Sequence, residues 1–174
     1  LALIACGRGG KNGEVEAAKD DGRALAEAPA TTQAAPKLAR MNGKDTTTID
    51  KTLKIKMGAP AAFKPGQYSI VTVPNGGKAF GFTVVVTNVG DQPVNLLMTS
   101  HMSALAGKEG AVGEPIFDSA QKYNGMPEAP LQPGKKVTFK YGFTVATKDT
   151  SEIQVTFEAF ALGESATFTG SLGK

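Results

Sequence analysis

The stretch Lys78-Ala-Phe-Gly-Phe-Thr-Val-Val-Val-Thr-Asn88 sets Phe80, Phe82, Val84 and Val86 against Gly81, Thr83 and Val85. Successive side chains of an extended chain point to opposite faces, so this alternation describes a strand with one buried side. The same rhythm recurs in three other places. Leu53, Ile55 and Met57 alternate with Lys54 and Lys56 in TLKIKM; Val137, Phe139, Tyr141 and Phe143 share one side of KKVTFKYGFTV; Ile153, Val155, Phe157 and Ala159 share one side of SEIQVTFEAF. Shorter strands are expected at Gln67–Val73, Pro93–Thr99, Glu114–Asp118 and Ser165–Thr169.

Working outward, the turns are equally plain. Asn75-Gly76-Gly77 precedes Lys78, Asn88-Val-Gly-Asp-Gln-Pro93 follows it, and Pro133-Gly134 leads into the later Lys135–Val145 pattern. Gly, Asn and Asp tolerate positive φ and bond their own backbone, the chemistry that a tight reversal needs. The segment Ser100–Gly113 (SHMSALAGKEGAVG) breaks the rhythm and is expected as a loop at one end of the domain. Short strands joined by such turns predict an all-β fold, an antiparallel β-sandwich of seven to eight strands.

Composition agrees. The chain has 174 residues, with 21 Gly, 10 Pro, no Trp and a single Cys. One cysteine rules out a disulfide within the chain. From Gly7 to Thr47 there are seven basic and six acidic residues, and from Thr48 to Lys174 twelve and ten. No run of five like charges occurs, so the linear sequence shows neither a phosphate-neutralising stripe nor a basic cluster suited to anionic lipid, and no nucleic-acid partner is expected.

The start has its own logic. Leu3-Ile4-Ala5-Cys6 has the form of a bacterial lipobox: an aliphatic residue, a tolerated one, a small one, then the cysteine that takes a diacylglycerol. Leu1–Ala5 reads as the remnant of a signal peptide (residues 1–5). Two or three acyl chains on Cys6 would anchor firmly, at about 0.8 kcal/mol per buried methylene. Residues 6–47 are poor in large apolar side chains and read as a disordered N-terminal tether with a span of roughly 35 Å. The folded domain is expected over residues 48–174. The expected location is the extracytoplasmic face of a bacterial cell membrane, with the lipid anchor as the membrane contact.

Several motifs then carry a resemblance. Thr87-Asn88, Gly90-Asp91, Phe117-Asp118-Ser119, Leu131-Gln-Pro133-Gly134 and Phe168-Thr169-Gly170 occur in the order and spacing seen in actinobacterial cell-surface lipoproteins with an immunoglobulin-like domain of unknown function. The chain resembles that family from Leu53 to Gly170. The resemblance implies an immunoglobulin-like sandwich at the cell surface, with a secreted immunoprotective mycobacterial antigen as a fold relative. It implies no catalytic residues.

The candidate chemistry is thin. His101 is the sole histidine, flanked by Ser100 and Ser103, with no G-x-S-x-G elbow around either serine. Catalysis is therefore not expected. Met98, His101 and Met102 offer thioethers and an imidazole suited to Cu(I), the basis of an alternative reading as an extracytoplasmic copper-binding protein; otherwise no cofactor is expected. Asp118 is a candidate ligand contact, though the simpler and favoured reading is that Asp118 or Ser119 caps a turn by bonding neighbouring backbone N–H groups. Tyr123 and Met126 are candidate anchors for a ligand. The leading expectation is a noncatalytic binding module whose loops Asn75–Lys78, Ser100–Gly113 and Ala120–Pro130 contact an extracellular protein or cell-envelope ligand.

Overall fold

The computed structural model describes residues 37–172. Cys6 and the tether up to residue 36 lie outside the described residues. The strands are β1 (Lys37–Arg40), β2 (Thr47–Ile49), β3 (Leu53–Met57), β4 (Ala61–Ala62) and β5 (Lys78–Asn88), then β6 (His101–Ala106), β7 (Ala111–Pro115), β8 (Lys136–Val145), β9 (Ile153–Ala159) and β10 (Glu164–Gly170). One short helix, α1 (Leu96–Thr99), precedes β6, and 3-10 turns occupy Ser119–Gln121 and Phe160–Leu162.

Two sheets stack. The first runs β1-β10-β9-β6-β7; the second runs β7-β8-β5-β3-β2, with β4 paired to β5 beside β3. Strand β7 belongs to both: Ala111 and Val112 pair with β6, and Gly113 to Pro115 pair with β8. All ladders are antiparallel except β1 with β10. The fold is the expected immunoglobulin-like sandwich, with ten strands rather than seven or eight.

The alternation read from KAFGFTVVVTN is the alternation that folds. Phe80, Phe82, Val84 and Val86 are buried between the sheets with Tyr141, Phe143, Ile153, Val155, Phe157 and Phe168. Rings of Phe80, Phe82, Tyr141 and Phe143 meet at centroid distances of 5.3 to 6.4 Å, within the range of favourable aromatic pairing.

Four expectations need correction. The fold takes in Lys37–Arg40, ahead of the expected start at Thr48, because these residues add a parallel strand to the edge of β10. Ser100–Gly113 is a β6–β7 hairpin and not a loop; its inward residues are Met102, Ala104 and Ala106, and the two small alanines hide the alternation. Gln67–Val73 forms no strand, and its Tyr68 and Ile70 are exposed. Pro93–Thr99 supplies only a bridge at Val94 before Asn95 caps α1 by accepting the Met98 N–H.

The turn after β5 uses the local hydrogen bonds expected of Asn88 but not a positive φ at its glycine. Gly90 is not in the left-handed region. Instead the fully buried Asn88 side chain donates to the carbonyls of Gln92 (2.7 Å) and Leu131 (2.9 Å) and accepts the Gly90 N–H (3.0 Å). Gly76 and Gly134 do take positive φ, as their turns require.

Candidate binding cleft and the loop cover beside it

On the outer face of the second sheet, Gly81 and Gly142 are register partners. With no side chains there, the aromatic pair Phe63 and Tyr123 settles against the strands, stacked at 4.3 Å and 19°. The cover is tied down by Asp118, which is buried. Its carboxylate accepts the Gly66 N–H at 2.7 Å, the Gln121 N–H at 3.2 Å and the Gln121 Nε2 at 3.0 Å. Gln121 in turn donates to the Lys64 carbonyl, so segments about fifty positions apart are laced together. These bonds, the Gly66 one foremost, hold the Asp118 carboxyl below the usual carboxylate range against the opposing effect of burial. Tyr123 is pushed up, by burial first and by the Asp118 charge second.

The same loop walls a cleft between the sheets. Its volume is about 340 Å³. Ser100 and His101 come from the start of β6, Tyr141 from the inner face of β8, and Asn124, Met126 and Glu128 from the loop. Leu97 and Phe117 stand at its rim, 48% and 42% exposed, and the Phe117 carbonyl accepts the N–H of exposed Ile70. Ser100, one of the lining residues, has a buried Oγ, the one buried side-chain polar atom without a hydrogen-bond partner among the described residues. Buried polar groups are almost always satisfied, so this hydroxyl calls for a partner, either an ordered water or a group brought by a ligand. Burial pushes the pKa of the Tyr141 phenol up, and its hydroxyl can donate as well as accept.

The sequence-derived candidates are rearranged by this geometry. Of the proposed contacts, Met126 lines the cleft but is buried, at 9% exposure. Tyr123 is buried under the cover and cannot serve as an exposed anchor, and both Asp118 oxygens are taken by internal donors. The Met/His cluster does not converge: His101 is exposed, whereas Met102, the next residue on β6, points into the core with no exposure, and Met98 is out on α1. A strand cannot turn neighbouring side chains to one side. Ser100 and His101 face the same difficulty as a nucleophile and base, since Ser100 is extended at φ −141°, ψ 156°. Among the described residues no group of three or more His, Cys, Asp or Glu gathers where it could hold a metal ion.

The three expected contact loops divide between two places. Ser100 and Ala120–Pro130 build the cleft, while Asn75–Lys78 lies beside Val145 and Lys148 with the Gly107–Lys108 turn and Asp149 nearby, at the far end of β6 and β8. Ser100 and Tyr141 are the residues that strand patterning understated. A tyrosine in an inward row was a readable signal, because a buried phenol needs an outlet for its hydroxyl.

This sandwich has known counterparts. It is similar to the ycdA protein of Bacillus subtilis, a candidate lipoprotein, at 13% identity over 76% of this chain with a TM-score of 0.57. It is similar to the secreted protein MPT63 of Mycobacterium tuberculosis, at 15% identity over 79% of this chain and 98% of that one, with a TM-score of 0.54. The yjhA protein of Bacillus subtilis matches at 14% identity over 80% of this chain and 100% of its own, also at 0.54. The likeness is one of fold. This chain spans 39% of the length of the ycdA protein. No protein-family model matches the chain, and no curated protein matches it significantly in sequence.

Proposed function

We propose that this protein is a noncatalytic binding module, held at the extracytoplasmic face of a bacterial membrane through lipid on Cys6, that captures an extended segment of a protein or peptide partner in the cleft between α1, β6 and the Phe117–Glu128 loop. The unpartnered Ser100 hydroxyl beneath the apolar rim of Leu97 and Phe117 carries this reading. A partner that inserts an apolar side chain past the rim can bring a backbone carbonyl or N–H to Ser100 and Tyr141, while Glu128 and His101 offer polar contacts at the mouth. The anchoring part rests on Leu3-Ile4-Ala5-Cys6 and is supported by two fold counterparts, one a candidate lipoprotein and one secreted. Noncatalytic action is supported by the separation of Ser100 from His101 by strand direction.

Two experiments test this. Selection of a displayed peptide library on the full chain should enrich peptides with an apolar anchor, whose binding is lost in Leu97→Asp and weakened at least fivefold in Ser100→Ala. Enriched peptides that bind both variants unchanged would refute the cleft. Intact-mass measurement of membrane-extracted protein should show acyl mass on Cys6, and an unmodified thiol would refute the anchor.

A further inference from the structure

A lysine surface appears on the second sheet that the linear sequence does not show. Register carries three outward rows across the strands: Thr83 with Lys140; Lys56 with Val85 and Thr138; Lys54 with Thr87 and Lys136. Each row therefore holds a lysine, and none holds a carboxylate. Rows lie about 7 Å apart, two residues along a strand. Where the first row meets the loop cover, a pocket of about 510 Å³ opens, lined by Thr83, Lys122, Asn124, Gly125, Thr138 and Lys140 with the Phe139 segment. Its polar side chains are ammonium, hydroxyl and amide groups. Lys140 is held over the Tyr123 ring at 5.5 Å from the centroid, which fixes one cation at the pocket wall.

We propose that this face docks a linear phosphodiester polymer, with one phosphate seated between Lys122 and Lys140 and the following ones passing Lys56, Lys54 and Lys136. Charge complementarity gives the class of partner: clustered ammonium groups with hydroxyl donors and no acid suit repeated phosphate, and five such contacts release condensed counterions on binding. The shape favours a chain over a bilayer. Lys122 and Lys140 line a concave pocket at one end of the rows, and the apolar residue in these rows, Val85, is half-buried, so no side chain of the rows is placed to enter acyl chains. Exposed aromatic rings, on which the bases of a nucleic acid would stack, are missing from these rows as well. The inference does not depend on the cleft, because no cleft residue supplies a lysine to it.

Fluorescence anisotropy of a labelled poly(glycerol phosphate) oligomer with the full chain tests it. Binding should weaken with salt at a log–log slope of roughly −3 to −5. The double variant Lys122→Gln/Lys140→Gln should weaken it at least tenfold and flatten the slope by about 2. Lys108→Gln/Lys148→Gln, at the opposite end, should change it less than twofold. No binding, equal loss in the two double variants, or tighter binding to phosphatidylcholine vesicles containing phosphatidylglycerol than to the oligomer would each overturn the proposal. Thermal melts confirm that the variants, all at exposed lysines, remain folded.

Discussion

Gly81 and Gly142 are direct register partners across β5 and β8, and a methyl group on either would enter the space held by the Tyr123 ring. At Gly81 an added Cβ lands 2.4 Å from Tyr123 Cε1, and at Gly142 it lies 3.3 Å from both Tyr123 Cδ1 and Phe63 Cε1. The pair is a seat for the loop cover, and the cover in turn walls both the cleft and the lysine pocket.

Gly81→Ala should therefore cost about 1–3 kcal/mol by overpacking and displace the cover, while Gly142→Ala, with looser contacts, should cost less. Urea unfolding measures the difference. Tyr123→Ala should let the Gly81→Ala methyl in, so the double variant should cost less than the two single changes summed.

Asn88 closes the turn after β5 with three side-chain bonds in a fully buried site. Asn88→Ala leaves the Gln92 and Leu131 carbonyls without these donors and should lower stability by about 2–4 kcal/mol. Asn88→Asp should be at least as harmful, since a carboxylate cannot donate to either carbonyl and its charge would be buried. Thermal denaturation of both variants checks this.

The Asp118 latch should respond to acid. Its folded pKa lies below the unfolded value of about 3.9, chiefly because the Gly66 N–H bonds the charged form. The stabilisation it provides is complete above that unfolded value and is lost as pH falls through the lower folded one. The protection factor of the Gly66 amide, its exchange rate relative to the intrinsic rate at each pH, should fall selectively on titrating below about pH 4, and Asp118→Asn should remove that pH-dependent part. A Gly66 amide indifferent to pH in this window would contradict the latch.

Neighbouring residues on β6 should behave in opposite ways. Met102→Ala opens a cavity in the core and should cost about 2–5 kcal/mol. His101→Ala, on the exposed side, should stay within about 0.5 kcal/mol. Calorimetry on the two variants reads the contrast directly.

Ser100→Ala should leave the free protein as stable or raise its stability by up to about 1 kcal/mol, because an unsatisfied hydroxyl is removed. Loss of peptide binding without loss of stability would separate a recognition role from a packing one.

The long alternating runs were legible because their buried face is built from large side chains. KAFGFTVVVTN became β5 residue for residue, and KKVTFKYGFTV and SEIQVTFEAF became β8 and β9. The β6 strand was not legible, since its buried Ala104 and Ala106 are small and give little hydrophobic contrast. Strand β1 escaped for another reason: with Leu38 and Arg40 exposed, its place comes from the ladder to β10 and not from a buried stripe. The lysine face could not be read from charge runs, because it is assembled from single lysines on β3 and β8 brought together by pairing to β5. The cleft likewise joins residues about forty positions apart; the Ser100 and Ala120–Pro130 segments and Met126 were legible as contact candidates, but their meeting with Tyr141 comes only with the fold.

Strand β1 finds its ladder partner in β10, and Ala39 and Thr169, which meet there, are 130 positions apart. Strand β1 therefore stays without its ladder until β10 is available, and such distant closure is slow. Until then the folding chain carries an unpaired strand, the interval in which it is most open to wrong pairing. Removing either end of the domain would leave the other with a bare edge, so truncations should aggregate before they unfold.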